Sequence, residues 1–392
     1  MTKKIFAISL LIVAMIILST MPLHGSPTTE VKEEKRQQQH LAYATPTTSP
    51  SSPFSSSIPS TTDFNFAAVG DWACNSNTAD TVNNIQNKDP ELVLALGDLS
   101  YENTASCWLN ETSSIKNKLK IAMGNHEHGD EGDPTLLQAQ YKNQFNLLKT
   151  YYSFDYHNVH FIAIDSMIPY TIDSPQYSFV KNDLISTSQN PNIKWIIVYF
   201  HHPMYTSSSK HPSDSLLRET YHPLFDQYGV DLVLQGHNHN YERSYPITYN
   251  NNANNNDDGS LSNPTITSNN TNTYSDPTGE VYITAGTAGR DLHDLKGKSE
   301  FIVTQYKVFG FLNVDISSDG TKLIGTFYAN EGIGSVKDTF TITKLVTPKL
   351  VPVKEDQFYG EKSEVLNAKL YDNANDSNGN NGDMRAESDE GH

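Results

Sequence analysis

Five short apolar runs in the chain each end at a side chain that can bind a metal ion. Four of these side chains follow a glycine, where the backbone can turn sharply and approach an ion. Any one of them alone would be read as a turn former or a helix cap, because Asp and Asn favour both positions. Carboxylate, amide and imidazole groups gathered at five comparable positions indicate a metal site instead. The five residues are Asp71, Asp98, Asn125, His201 and His237.

The apolar runs that precede these residues have the length and composition of buried β-strands. They cover 64–69, 92–96, 119–123, 195–200 and 230–234. In open α/β sheets, ligands bind beyond the carboxyl ends of the strands. We therefore expect the five side chains to meet at one edge of the fold.

The segments between the runs predict helices, several of which open with Ser, Thr or Pro as helix starts prefer. These helices are expected at 78–87, 134–148, 174–188 and 213–228. Hairpins are expected at 151–156 with 159–165 and at 311–316 with 322–328. Strand–helix units combined with hairpins predict an α/β fold, a layered sandwich of two mixed β-sheets flanked by helices.

Composition divides the chain into a leader, a linker, a folded domain and a tail. Residues 1–25 combine a basic start with an apolar run, which predicts a signal peptide or a membrane anchor through residues 5–23. Residues 26–62 are rich in Ser, Thr and Pro and predict a disordered linker. The folded domain is expected at 63–346 with an Asn-rich inserted loop at 249–275, followed by an acidic, largely disordered tail at 347–392. The leader predicts export, either by secretion or by anchoring on the outer face of the cytoplasmic membrane.

The overall charge limits the partners that the chain can bind. The chain has 392 residues, of which 36% are hydrophobic, and this is enough for one large domain. Its formal net charge of −17 disfavours nucleic acid as a bound polymer, although part of that charge lies in the tail. In an oxidising compartment, Cys74 and Cys107 can form a disulfide or remain two thiols, and the sequence allows both.

The motifs around the five residues resemble those of the calcineurin-like metallophosphoesterases, in the order of that superfamily, from about residue 64 to residue 344. Within the superfamily the pattern is most similar to the purple acid phosphatases. Most metallophosphoesterases have a metal-binding His two residues after the first Asp, where this chain has Ala73, and purple acid phosphatases replace it by a tyrosine that matches Tyr101. The motifs are Gly70-Asp71, Gly97-Asp98-Leu99-Ser100-Tyr101, Gly124-Asn125-His126-Glu127, His201-His202-Pro203 and Gly236-His237-Asn238-His239.

The resemblance implies two metal ions bridged by Asp98. The first ion would be bound by Asp71, Asp98, Tyr101 and His239, and the second by Asp98, Asn125, His201 and His237. A phenolate with carboxylates suits Fe(III), whereas imidazoles and an amide oxygen suit Fe(II), Zn or Mn. Two-metal sites hydrolyse phosphate esters by polarising the phosphate and activating water.

Two further histidines are expected to take part in catalysis. His126, beside the ligand Asn125, is a candidate for hydrogen bonding the phosphoryl group or the leaving oxygen. His211 falls where plant-type purple acid phosphatases place a leaving-group histidine, although the family usually has two histidines there and this chain has Lys210 and His211. His202 and His128 are expected to support the site or the fold, and His160 and His222 are expected to be structural.

Three functions fit these residues. The first is hydrolysis of small phosphate monoesters, as in acid phosphatases. The second is a phosphodiesterase or nucleotide-cleaving enzyme, because the two-metal core alone does not define the ester. The third is a non-catalytic surface-binding protein on the same fold. The oligomeric state stays open, because 26–62 is too short and too polar for the N-terminal β-sandwich domain of plant-type relatives.

Overall fold

The computed structural model describes residues 63–129, 134–207, 210–250, 264–331 and 334–345. The predicted leader (1–25), linker (26–62) and tail (347–392) lie outside these residues, as does 251–263 of the predicted inserted loop. Within the described ranges, no helix has both the length and the apolar character needed to cross a membrane.

The secondary structure alternates strands and helices in the first two thirds of the domain and consists of strands in the last third. In chain order the elements are β1 (Phe64–Val69), α1 (Ser76–Lys88), β2 (Leu92–Leu96), α2 (Ser106–Glu111), β3 (Leu119–Ala122), α3 (Pro134–Phe145), β4 (Tyr152–Tyr156), β5 (Val159–Ala163), α4 (Pro175–Ser188), β6 (Trp195–Tyr199), α5 (Ser215–Tyr228), β7 (Leu232–Gln235), β8 (Tyr241–Thr248), β9 (Thr265–Ile266), β10 (Thr273–Ser275), β11 (Glu280–Ala285), β12 (Ile302–Tyr306), β13 (Gly310–Ile316), β14 (Lys322–Ala329) and β15 (Ser335–Thr343). Short 3₁₀ turns lie at Lys116–Lys118 and His126–His128.

The strands form two mixed sheets. The first has the order β10-β15-β14-β13-β1-β2-β3, in which β1, β2 and β3 are parallel and β13 runs antiparallel to β1. The second has the order β12-β8-β11-β7-β6-β5-β4, with β9 paired to β8. Its central strands β5, β6, β7 and β11 are parallel. The carboxyl ends of both parallel sets therefore deliver the five predicted metal-binding residues.

The sheets pack face to face, and helices cover their outer faces. Phe66 and Phe161 meet edge to face in the core between the sheets, with ring centroids 5.3 Å apart. A second core lies between the first sheet and α1, α2 and α3, and a third lies between the second sheet and α4 and α5. Every central strand thus has apolar side chains on both faces, which explains why the strands read as continuous apolar runs. The predicted layered α/β sandwich is confirmed.

Local signals set the ends of the helices. In α1, the side chain of Asn75 accepts a hydrogen bond from the N–H of Thr78, and the helix ends at Asp89 in the left-handed conformation. Likewise, Asp214 caps the start of α5 and Gly229 ends it. The helix predicted at 134–148 ends three residues early, at Phe145, because Asn146 adopts a φ of +53°.

The described part of the predicted inserted loop is not purely irregular. It contains β9 and β10, and β10 pairs with β15 in the first sheet. Within β10, Tyr274 is buried, and its hydroxyl accepts a hydrogen bond of 2.7 Å from the guanidinium of Arg243. Arg243 is itself paired with Asp338 through two hydrogen bonds. A buried ion pair therefore ties this segment to both sheets.

Cys74 and Cys107 form a disulfide, so the alternative of two thiols is excluded by the structure. The bond links the segment after β1 to α2 across 33 residues, with the two Cα atoms 6.0 Å apart. We expect the double variant Cys74→Ser with Cys107→Ser to lower the free energy of unfolding by about 2–4 kcal/mol, because the unfolded chain gains conformational freedom. Denaturant unfolding with and without a reductant measures this. The reductant should destabilise the parent chain and leave the variant unchanged, and equal stability of the two chains would contradict the prediction.

His160 lies between two carboxylates, those of Asp155 and Asp183, with one on each ring nitrogen. Burial lowers the pKa of His160, but the hydrogen bonds and charges of the two aspartates outweigh burial and raise it above 6.5. The protonated imidazole therefore stabilises the folded state. This stabilisation is complete at pH values below 6.5, the pKa of the unfolded chain, and it is lost as the pH rises through the higher pKa of the folded state.

We therefore expect His160→Gln to lower the free energy of unfolding by about 1 kcal/mol more at pH ~5.5 than at pH ~9, since solvent screens the half-exposed Asp155. Urea unfolding at the two pH values checks this expectation. A larger effect at the higher pH would show that the imidazole is neutral in the folded state.

Candidate metal centre

Five strand ends from the two sheets meet at one edge of the fold. Asp71, Asp98 and Asn125 follow β1, β2 and β3, whereas His201 and His237 follow β6 and β7. Three of these five residues have positive φ values, +60° at Asp71, +47° at Asp98 and +69° at His237. Non-glycine residues rarely adopt this conformation, and such strain concentrates at functional sites. The backbone is therefore turned at these positions to aim side chains inward.

A first set of donor atoms comprises one carboxylate oxygen each from Asp71 and Asp98, the hydroxyl of Tyr101 and Nε2 of His239. The Tyr101 hydroxyl lies 3.2 Å from Oδ2 of Asp98 and 3.1 Å from Nε2 of His239. Nε2 of His239 lies 3.3 Å from Oδ1 of Asp71. These are the four residues predicted to bind the first ion.

A second set shares the same oxygen of Asp98. Nε2 of His201 lies 3.2 Å from Oδ2 of Asp98, 3.1 Å from Oδ1 of Asn125 and 3.2 Å from Nδ1 of His237. These are the four residues predicted to bind the second ion. The structure thus brings all seven predicted metal-binding residues together, with Asp98 between the two sets.

The donor sets have the chemistry and spacing of metal sites. Metal–ligand distances of 2.0–2.2 Å in tetrahedral geometry place ligand atoms about 3.3 Å apart. Nδ1 of His201 lies 2.9 Å from the carbonyl oxygen of Leu96, and Nδ1 of His239 lies 2.7 Å from that of Asp291. Because each Nδ1 donates its proton there, Nε2 is left as a lone-pair donor that faces the site. The buried Oδ1 of Asp71 makes no hydrogen bond with the described residues. These features fit a pair of bound cations.

The charges of the site favour protons on some of its donors. Burial disfavours a charged imidazole at His201, but Asp98 and Asp71 outweigh burial and raise the pKa of His201 to about 10. Burial, Asp71 and Asp98 raise the pKa of the Tyr101 phenol far above its usual value. Burial and the neighbouring His201 lower the pKa of His237. Cation binding must displace the protons of His201 and Tyr101, since ligands bind deprotonated.

Glu127 connects two of the loops that carry predicted metal-binding residues, a role that the sequence did not indicate. Its fully buried carboxylate accepts hydrogen bonds from the N–H groups of Asp98, Leu99 and Gly124 at 2.8–3.0 Å. The loops after β2 and β3 are therefore fixed relative to each other. Burial and the charge of Asp98 raise the pKa of Glu127 to about 8.

Family comparison agrees with this geometry. Residues 64–241 match the model of the calcineurin-like phosphoesterase family. This segment of the chain is similar to that family. The predicted resemblance to the superfamily is thereby confirmed, and the curated relatives confirm its purple acid phosphatase-like character.

Two relatives from Arabidopsis thaliana illustrate the similarity. Purple acid phosphatase 22 is 30% identical over 249 residues, which cover 59% of this chain and 51% of that protein. "Probable inactive purple acid phosphatase 24" is 28% identical over 285 residues, which cover 66% of this chain and 44% of that protein. The chain spans about half the length of the curated relatives it matches.

A solved structure shows the same fold. The purple acid phosphatase from yellow lupin seeds (Lupinus luteus) aligns with a TM-score of 0.62 at 21% sequence identity. The alignment covers 74% of this chain and 55% of that protein. The two-sheet architecture is therefore shared.

The two predicted catalytic histidines contact different donor sets. The ring of His126 lies 4.0 Å from that of Tyr101, and its Nε2 lies 3.7 Å from Oδ2 of Asp98. The ring of His211 lies 4.1 Å from that of His237. His202, predicted to be supportive, has its Nδ1 2.8 Å from the hydroxyl of Ser166.

Two more residues contact the first donor set without having been predicted. The guanidinium of Arg290 lies over the Tyr101 ring, 4.3 Å from its centroid. The ring of His293 stacks on that of His239 at 3.9 Å, and its Nδ1 accepts a hydrogen bond from the His239 N–H. Both residues follow β11, whose end carries no motif that the sequence analysis used.

Proposed function

We propose that the chain hydrolyses phosphate monoesters at a dinuclear metal centre. The observation that carries this proposal is the shared position of Asp98. Its Oδ2 lies 3.2 Å from the Tyr101 hydroxyl in one donor set and 3.2 Å from Nε2 of His201 in the other. One carboxylate between two sets of donors is the arrangement in which a bridging ligand holds two cations. Relatives named purple acid phosphatase support the choice of ester.

The two donor sets differ in chemistry, and this difference favours different ions. The first set offers two carboxylates and a phenol, hard oxygen ligands that suit Fe(III). The second offers two imidazoles, an amide oxygen and the shared carboxylate, which suit Fe(II), Zn or Mn. Asp71, Tyr101 and His239 would hold the first ion, and Asn125, His201 and His237 the second, with Asp98 common to both.

The bound cations would supply polarisation of the phosphate and acidification of water. His126 borders the first donor set, so its Nε2 can donate a hydrogen bond to a phosphoryl oxygen or a proton to the leaving alcohol. His211 borders the second set beside His237. Burial and the neighbouring Lys210 lower the pKa of His211, so its neutral ring can orient the leaving group.

Tyr101 should govern occupancy of the first cation position. We expect Tyr101→Phe to bind one metal equivalent less than the parent chain and to lose about tenfold in kcat, because one oxygen donor of the first set is removed. Metal analysis of the purified variant, together with steady-state kinetics, checks this. The matched control is Tyr156→Phe, whose hydroxyl contacts Glu91 on the surface. Full iron content in Tyr101→Phe would show that the phenol is not a ligand.

Hydrolysis of diesters or nucleotides is the competing activity, since the core does not define the ester. The test compares p-nitrophenyl phosphate with bis(p-nitrophenyl) phosphate across acidic to neutral pH, using the full chain and an Asp98→Ala control. Monoester turnover that is lost in the control supports the proposal. Preference for the diester supports a phosphodiesterase. Full metal occupancy without turnover of either ester supports the non-catalytic binding protein, which the name of one relative also suggests.

We further propose that the protein is exported and acts on small phosphorylated substrates. A disulfide persists in oxidising compartments, so the Cys74–Cys107 bond supports export, as does the apolar segment at the N-terminus. The net charge of −17 opposes binding of polyanions. Fractionation of the native host, with the disulfide state measured in each fraction, tests this location.

A further inference from the structure

A second group of potential metal ligands lies apart from the metal centre. His222 and Asp226 are one turn apart on α5, and Glu280 is the first residue of β11. The metal centre gathers at the carboxyl ends of the parallel strands, whereas Glu280 lies at the opposite, amino end of β11. The two groups share no residue.

The three side chains converge closely. Nε2 of His222 lies 2.9 Å from Oε2 of Glu280 and 3.6 Å from Oδ1 of Asp226. One donor atom from each residue lies within 4.8 Å of the others. Ligand atoms around a tetrahedral Zn²⁺ are about 3.3 Å apart, so His222 already has nearly the required spacing from each carboxylate.

One oxygen of each carboxylate in this group has no hydrogen-bond partner among the described residues. Glu280 is fully buried, and its Oε1 makes no hydrogen bond with the described residues. The same holds for Oδ1 of Asp226 and for the buried hydroxyl of Tyr282, whose ring is 5.2 Å from that of His222. Among the described residues, neither carboxylate forms an ion pair with Lys or Arg. A buried carboxylate is costly unless it is paired or coordinates a metal.

The surroundings orient the donors for coordination. Nδ1 of His222 lies 2.8 Å from the hydroxyl of Tyr205, so this contact can fix the ring and leave Nε2 for a cation. The backbone N–H of Tyr249 donates to Oδ2 of Asp226 at 2.9 Å. The nearby guanidinium of Arg218 packs over the Tyr205 ring, 5.4 Å from its centroid. Asp226 is partly exposed, which provides a path for entry.

We propose that His222, Asp226 and Glu280 form a separate structural site for one divalent cation of the Zn²⁺ class. One imidazole and two carboxylates, with water in the fourth position, satisfy the preference of that ion for nitrogen and oxygen ligands. The cation would join α5 to β11. Through Tyr205 it would also stabilise the segment that follows His201. This proposal does not depend on the proposed function.

The metal content of variants of the full chain tests the proposal. After Zn²⁺ loading and gel filtration, Asp98→Ala should lose metal at the dinuclear centre and keep one equivalent. Adding Glu280→Gln should remove that equivalent, with Zn²⁺ affinity at least about 100-fold weaker. His160→Gln is the matched control, because its two aspartates lie on opposite ring nitrogens and cannot share one ion. Loss of the equivalent in this control, or its retention in Glu280→Gln, would overturn the proposal.

Two further measurements keep the proposal testable if Glu280→Gln does not fold. Tyr205→Phe preserves the ligands and removes only the contact to Nδ1, so it should weaken Zn²⁺ binding by about 10- to 100-fold. Crystals of the parent chain soaked in Zn²⁺ should show an anomalous peak bonded to Nε2 of His222. The proposal is overturned if the dinuclear centre is filled and no peak appears at His222.

Discussion

Asp98→Ala should reduce kcat by about 10⁴-fold or more under the proposed function. Oδ2 of Asp98 is the one oxygen that belongs to both donor sets, so its removal weakens both cation positions. A factor of 10⁴ corresponds to about 5 kcal/mol of transition-state stabilisation, which matches the several kcal/mol that a catalytic metal contributes. Steady-state kinetics with p-nitrophenyl phosphate, at saturating metal, measures the loss.

The loss of kcat must be distinguished from a loss of activity caused by unfolding. Asp98 also accepts a hydrogen bond from the N–H of His126, and Ala leaves that donor without this acceptor. Denaturant unfolding of Asp98→Ala should show a decrease of about 1–3 kcal/mol with the cooperative transition retained. Asp294→Ala is a suitable control, since this exposed residue pairs with Lys307 on the surface and should leave kcat unchanged. Activity within tenfold of the parent in Asp98→Ala would rule out a bridging role.

The strands that precede the predicted metal-binding residues could be predicted because each is buried on both faces. The sequence of such a strand is a continuous apolar run. The observed bounds of β1 and β2 are those predicted from these runs. Strands with polar residues do not form such apolar runs and cannot be recognised in this way. β8 contains Glu242 and Arg243, which are fully buried and have most of their hydrogen-bond partners far away in the sequence. Asp338 on β15 is one of those partners, so neither strand could be inferred from local pattern.

The same distinction applies to the site. The residue types and their order were sufficient to predict that five side chains converge, because parallel strands end at a common edge. Tyr101 and His239 were predicted only from the resemblance to the purple acid phosphatases. The sequence could not show that His237 faces the site through Nδ1 whereas His201 uses Nε2, since this depends on rotamers set by packing. Arg290 and His293 were missed because they contact the site only after the chain returns through β11.

His222 illustrates a different limit. It was expected to be structural, and the expectation is reasonable for a histidine inside a helix. Its proximity to Glu280 depends on the packing of α5 against β11, and these two elements are far apart in the sequence. A pair at i and i+4 such as His222 and Asp226 is too common on helices to indicate a site alone. The third ligand comes only from the tertiary fold.

Gly124→Ala should reduce kcat by about 10²- to 10³-fold although it changes no predicted ligand. A Cβ at this position would collide with Oδ1 of Asp98 and lie 2.6 Å from its backbone nitrogen and 2.9 Å from Cδ2 of His201. The loop after β3 or the loop after β2 must therefore move, and the shared carboxylate moves with it. Displacements of about 1 Å at reacting groups cost about 10²-fold in rate. Overpacking of this kind also costs about 1–3 kcal/mol of stability.

Gly229→Ala provides the matched control for this prediction. Gly229 ends α5 with a φ of +68°, and a Cβ there would meet no atom within 4 Å. The control should therefore lose about 1 kcal/mol of stability from backbone strain alone and keep the parent kcat. If Gly124→Ala and Gly229→Ala lower stability to a similar extent and only the former loses activity and metal, the effect originates in the position of Asp98. Equal activity of the two variants would mean that the loops around Asp98 accommodate a methyl group, and that the close approach at Gly124 does not position the bridging carboxylate.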